Sequence, residues 1–98
     1  MRPNFSTECL DDIQRLHDYL VAQSPSAAQN FVDGVFDKVE LLLNFPEMGR
    51  VVPELGRPTV REIFYRHYRI VYQLQATGRI KVVLVQSGQR PLEVNRLR

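Results

Sequence analysis

Ninety-eight residues supply chain for one modest core and too little for two, so a single domain spanning residues 1–98 is expected. At 44% hydrophobic and 24% charged residues the composition is that of an ordinary globular chain, and Cys9, the only cysteine, excludes an intrachain disulfide and a thiolate metal cluster. The net charge of +2 hides an asymmetry: residues 1–49 carry eight acids against three bases, whereas residues 50–98 carry ten bases, nine of them arginine, against three acids. No apolar run approaches the ~20 residues that span a bilayer, and the opening MRPNFSTECLDD lacks the apolar stretch of a secretory signal. A cytoplasmic protein with no membrane contact is expected, its second half built to meet something anionic.

Residues 2–6 suit a very short opening strand. Ser6 then stands where a helix N-cap belongs, with Glu8, Asp11 and Asp12 near the positive end of the helix dipole. Cys9, Ile13, Leu16 and Leu20 follow at spacings of four, three and four, which predicts an amphipathic helix to about Gln23 with Asp12, Arg15 and Asp18 mainly off its apolar face. Ser24 followed by Pro25 starts a second helix, because proline has no N–H to waste at the first position. Its stripe is Ala28, Phe31, Val35, Val39 and Leu42, widened by Val32, Phe36 and Leu43, and it ends near Asn44. So short a turn between the helices makes them an antiparallel hairpin.

MGRVVPELGRP (48–58), with two glycines and two prolines, reads as an irregular connector. Three strands follow: VREIF (60–64), YRIVYQL (68–74) and IKVVLVQ (80–86). Alternation puts Tyr68, Ile70, Tyr72 and Leu74 on one face, with Ile80, Val82 and Leu84 sharing a face of the next strand and Lys81, Val83 and Val85 opposite. The tail SGQRPLEVNRLR shows no clear period, so removal of residues 91–98 is expected to leave the hairpin and sheet standing. The fold class is α+β: a helical hairpin on one face of an antiparallel sheet whose other face carries arginines, Arg61 and Arg69 among them.

His17 and His67 are far apart and belong to no ligand-spaced cluster, so neither a metal nor a cofactor is expected. Ser87 lacks the context of a nucleophile, and Cys9 belongs to a core stripe. Cleavage of RNA at a 2′-OH needs a proton acceptor, a proton donor and cations for the phosphate. Arg61, Arg66, Arg69, Lys81 and Arg90 offer the cations, but His67 falls in a turn and no second acid–base group stands beside it. Tyr68 and Tyr72 read as core residues whose hydroxyls reach an edge.

The run SPSAAQNF (24–31), then FPEMGR (45–50), PEL (53–55), VREI (60–63), YRIVY (68–72) and a late G-x-R (88–90), resembles the RelE/ParE toxin superfamily over nearly the whole chain. The resemblance implies a type II toxin–antitoxin module, of the kind that serves plasmid stabilisation, and the element order β-α-α-β-β-β. The superfamily divides into RelE-like ribosome-dependent mRNA endoribonucleases and ParE-like toxins that poison DNA gyrase. The long helical hairpin favours a ParE-like inhibitor rather than a catalyst. Ser87, where many relatives have histidine before the late glycine, and a tail without an aromatic favour it too. The implied partners are a ParD-like antitoxin, which folds an acidic and hydrophobic segment over the toxin, and DNA gyrase, with no direct specific binding of nucleic acid. Arg50, Arg61, Arg69, Lys81, Arg90, Arg96 and Arg98 are the residues expected to meet antitoxin or target. Removal of residues 91–98 is then expected to reduce toxicity more than antitoxin binding.

Overall fold

Two serines fix where the helices begin. Ser6 Oγ accepts from the Cys9 N–H at 3.1 Å and opens α1 (Thr7–Val21). Ser24 Oγ accepts from the Ala27 N–H at 3.3 Å and opens α2 (Pro25–Asn44), with Pro25 at its first turn. The computed structural model describes residues 4–97. The opening strand is β1 (Asn4–Phe5); the first two residues expected in it lie outside the described residues. The helices are followed by β2 (Arg50–Val51), β3 (Val60–Tyr65), β4 (Tyr68–Leu74), β5 (Ile80–Ser87) and a single 3-10 turn, Val94–Leu97. The connector expected to be irregular therefore contributes a two-residue strand, because Val51 pairs with Arg61 and Arg50 with Glu62.

The strand order is β1-β5-β4-β3-β2. Every pairing is antiparallel except β1 with β5, which is parallel, so the sheet is mixed rather than wholly antiparallel. The hairpin covers one face through Cys9, Ile13, Phe31, Val35, Val39 and Leu42, packed on Ile63, Tyr68, Ile70, Tyr72, Ile80, Val82 and Val85. The helical stripes and the tyrosine face of β4 are as the periodicity requires. Tyr72 is fully buried; its hydroxyl donates to the Pro46 carbonyl at 2.7 Å and accepts from the Gly49 N–H at 3.0 Å, tying the end of α2 to the sheet.

Gly34 lets α2 approach β3. A Cβ there would clash with Cε1 of the Tyr65 ring, so the half-buried tyrosine would have to swing out of its packing. Gly34→Ala should therefore destabilise the protein by about 1–3 kcal/mol despite its better helix propensity. A shift of the urea midpoint toward higher stability would mean that the ring leaves at no cost.

The alternation expected of β5 fails at one place. Val71 pairs with Leu84 and Tyr72 with Val82, which leaves Val83 as the extra residue of a β-bulge. Past the bulge the faces exchange: Leu84 turns away from the helices and Val85 turns toward them. The far face is accordingly not an open field of arginines. Val52, Val60, Val71, Val83, Leu84, Leu92 and Leu97 form a second apolar cluster there, closed over by the residues after β2 and by the C-terminal tail. The tail is fastened by buried Gln86, whose amide donates to the carbonyls of Ser87, Arg90 and Pro91 and whose oxygen accepts from the Glu93 N–H.

Candidate functional site

Two buried carboxylates organise the arginines of the second half. On β3, Glu62 alternates with Val60 and Phe64 on the face away from the helices, and its side chain is wholly inaccessible. Arg50 stands directly across from it on β2 and Arg69 lies diagonally across on β4, where Arg69 pairs with Phe64. Arg50 Nε donates to Glu62 Oε2 at 2.6 Å, Arg69 Nε donates to Glu62 Oε1 at 2.9 Å, and Arg69 Nη2 donates to the same oxygen. Glu54, from the turn after β2, takes the outer edge of the Arg69 guanidinium in two bonds of 2.8 and 3.0 Å. The hydrogen bonds to these carboxylates, Glu54 foremost, raise the Arg69 pKa above its ordinary value against the cost of burial. The same guanidinium holds the Glu54 carboxyl below the usual glutamate range.

A carboxyl whose folded pKa is depressed contributes stability above its unfolded value, about 4.3, and loses that contribution as pH falls through the folded value. Acidification below about pH 4.3 should lower the urea midpoint, and Glu54→Gln should make that decline shallower. An acid limb identical in parent and variant would show that Arg69 draws nothing from Glu54.

The second carboxylate is Asp12 of α1, which the helical periodicity puts off the apolar face but which is 3% exposed. It is buried because β1 is too short to cover β5. Past the end of β1, the Val85 N–H donates to Asp12 Oδ2 at 3.1 Å and the Val83 carbonyl accepts from Arg96 Nη2 at 2.9 Å. Arg96 also grips Asp12 with both Nη groups at 2.9 Å, and its Nη1 reaches Glu93 at 3.0 Å. Among the described residues its Nε is buried without a hydrogen bond, 3.5 Å from a Glu8 oxygen. Side chains thus complete the edge that a longer first strand would have paired. Next to this ion pair, burial and the Asp12 charge push the Cys9 thiol up to about 12, which suits an inert core residue.

The structure divides the seven expected contact residues. Arg69 is buried at 7% exposure and Arg96 is locked to Asp12, so neither is an open surface cation. Arg61 is not on the arginine face at all. It pairs across from Tyr72 on the helix side, and its guanidinium donates to the backbone carbonyls of Pro58, Gly49 and Glu47. Alternation alone requires this, because Arg61 shares its face with Ile63 and Tyr65. Arg50 and Arg90 are exposed, Lys81 is half-exposed on β5, and Arg98 lies outside the described residues. Glu62, Glu54 and Asp12 were missed by the sequence reading, as was the exposed ring of Phe64. For Glu62 a signal existed: an acid in the middle of the apolar row Val60, Phe64, one strand from Arg69. His67 sits in the β3–β4 turn as expected, its ring 4.2 Å from that of Tyr68.

The molecule also exposes apolar side chains near the end of α2. Phe45 and Met48, with Pro46, Leu74 and Gly78, line an open groove between the helix end and the β4–β5 turn. Comparison with known proteins gives a consistent assignment. A family model described as the ParE toxin of the type II toxin-antitoxin system, parDE, matches residues 4–92. Among solved structures, the chain is similar to one from the chromosomal ParDE TA system of P. aeruginosa, with 17% identity and a TM-score of 0.72. That likeness covers 89% of this chain and 95% of the other, and at such identity it speaks to fold. No curated protein matches the chain. The family match runs from β1 through the tail residue Leu92 that closes the second core, and the chain belongs to the ParE toxin family of type II toxin-antitoxin systems.

Proposed function

We propose that this ParE-family toxin acts by binding, as an inhibitor of DNA gyrase, and that a ParD-type antitoxin neutralises it by direct contact. The observation that carries the reading is the state of the sheet face on which a nuclease would hold its phosphate. There the central cation, Arg69, is spent on Glu62 and Glu54 inside the protein and is not free to hold a phosphate. His67 lies in a turn, with its ring beside Tyr68 rather than opposite a second acid–base group. The exposed Phe45 and Met48 beside an apolar groove favour a protein partner, since monomers seldom leave such patches open without use.

The test runs two assays on one purified toxin: gyrase supercoiling of a relaxed plasmid, and cleavage of mRNA on translating ribosomes. The expected result is inhibition of supercoiling that added antitoxin reverses, with mRNA intact. Rapid cleavage of ribosome-bound mRNA that is lost in His67→Ala would overturn the reading.

A further inference from the structure

Arg50 differs from the other arginines of its network. Its Nε is fastened to the buried Glu62 at 2.6 Å, yet its side chain is 63% exposed. Among the described residues its two Nη groups have no hydrogen-bond partner. The guanidinium carbon lies 5.8 Å from the ring centroid of Phe64, a residue 40% exposed although it stands on a strand. Glu62 is itself held from behind by Arg69, so the brace under Arg50 is rigid. The result is a guanidinium with one edge tied down, its other edge presented to solvent, and an apolar ring alongside.

The charge around this head is one-sided. The nearby acids, Glu62 and Glu54, are both engaged by Arg69. Gly88 backs onto Phe64, since a Cβ there would lie 3.5 Å from the ring, and the exposed Arg90 follows two residues later. Arg66, in the turn after β3, stands over the Tyr65 ring on the helix side and takes no part in this patch. Among the described residues, an incoming anion therefore meets the Arg50 fork with both neighbouring carboxylates already engaged. A nucleic-acid backbone needs a row of unpaired cations, whereas this patch offers a single pre-set fork over a neutralised ion cluster. A fork of that kind fits one carboxylate in a bidentate pair, and the ring beside it fits an apolar neighbour.

We propose that Arg50 and Phe64 form a pre-organised recognition head for an acidic, apolar segment of the antitoxin, with Arg50 taking a carboxylate, Phe64 packing on the adjacent side chain and Glu62 acting as the positioning residue. This rests on the reading that a ParD-type antitoxin binds the chain. Holding the guanidinium in place before binding removes part of the ordering cost that a free arginine would incur.

The experiment is calorimetric titration of the purified toxin with the antitoxin encoded beside it, at about 0.15 M salt. Arg50→Ala, Arg50→Lys and Phe64→Ala are compared with the parent and with Arg15→Ala, an exposed arginine on α1. Each of the first three should weaken binding about tenfold or more, and Arg15→Ala should stay within about twofold. Lysine is expected to fail almost as badly as alanine, because it keeps the charge but loses both the Nε brace and the fork. Should Arg50→Ala fold poorly, the lysine and Phe64 variants still decide the matter. Binding by all variants within about twofold of the parent overturns the proposal while leaving the module intact. So does a head whose loss abolishes affinity for a single-stranded RNA oligomer, or abolishes toxicity, with antitoxin affinity unchanged. Failure of the parent itself to bind the antitoxin overturns the module reading and this proposal together.

Discussion

Glu62→Ala should destabilise the protein by about 3–5 kcal/mol, because it removes the buried partner of a buried arginine. Arg69 would keep only Glu54 at the rim of its guanidinium, while its Nε and Nη2 lost the oxygen they share. Leaving a desolvated cation short of acceptors costs far more than the intact pair contributes. The contrast with a double substitution sharpens the prediction. Glu62→Leu combined with Arg69→Leu removes both charges and extends the apolar cluster of Val60 and Val71 on the same face, so its stability should lie close to the parent's. Chemical denaturation of both variants checks this. A single variant as stable as the parent would mean that water reaches Arg69 easily. The double variant has a further use, since it should fold and yet leave Arg50 without its brace.

How much of this was legible beforehand depended on whether a residue's environment is set locally or by distant chain. The helices were legible because their caps and stripes lie within a few residues: Ser6, Ser24 and Pro25 at the starts, Cys9 to Leu42 along the faces. The tyrosine face of β4 was legible for the same reason. The exchange of faces at Val83 was not, because a bulge between two β-rich strands leaves no mark in an unbroken run of valine and leucine. Asp12 was misplaced because helical periodicity counts only the helix. What buries it is the bare edge of β5 and an arginine 84 residues away. Arg69 was placed on the correct face but in the wrong environment. The alternation that sends it away from the hairpin says nothing about the two carboxylates and the second apolar layer waiting there.

The tail is where this difference matters most. Read as a sequence without period, residues 91–98 looked like a detachable contact for the target, whose removal would spare the fold. The structure reverses that expectation. Leu92 and Leu97 are 8% and 1% exposed and complete the second apolar cluster. Their burial contributes roughly 3–6 kcal/mol at about 1.5–3 kcal/mol per side chain. Arg96 supplies two of the charge-assisted bonds that keep Asp12 satisfied and one to the Val83 carbonyl. Without it Asp12 would rely on the Val85 N–H and on Arg15, whose side chain is 70% exposed. Set against a total stability of about 5–15 kcal/mol for a domain of this kind, these losses remove a large share of it. A chain ending at Arg90 should therefore melt far below the parent, with toxicity and antitoxin binding falling together. Circular dichroism melting of the shortened protein, beside antitoxin pull-down, is the check. Leu97→Ala provides the graded version, expected to cost about 2–5 kcal/mol while leaving the Arg96 pair in place. A shortened chain that melts cooperatively near the parent and still binds antitoxin would return the tail to the surface role its composition first suggested.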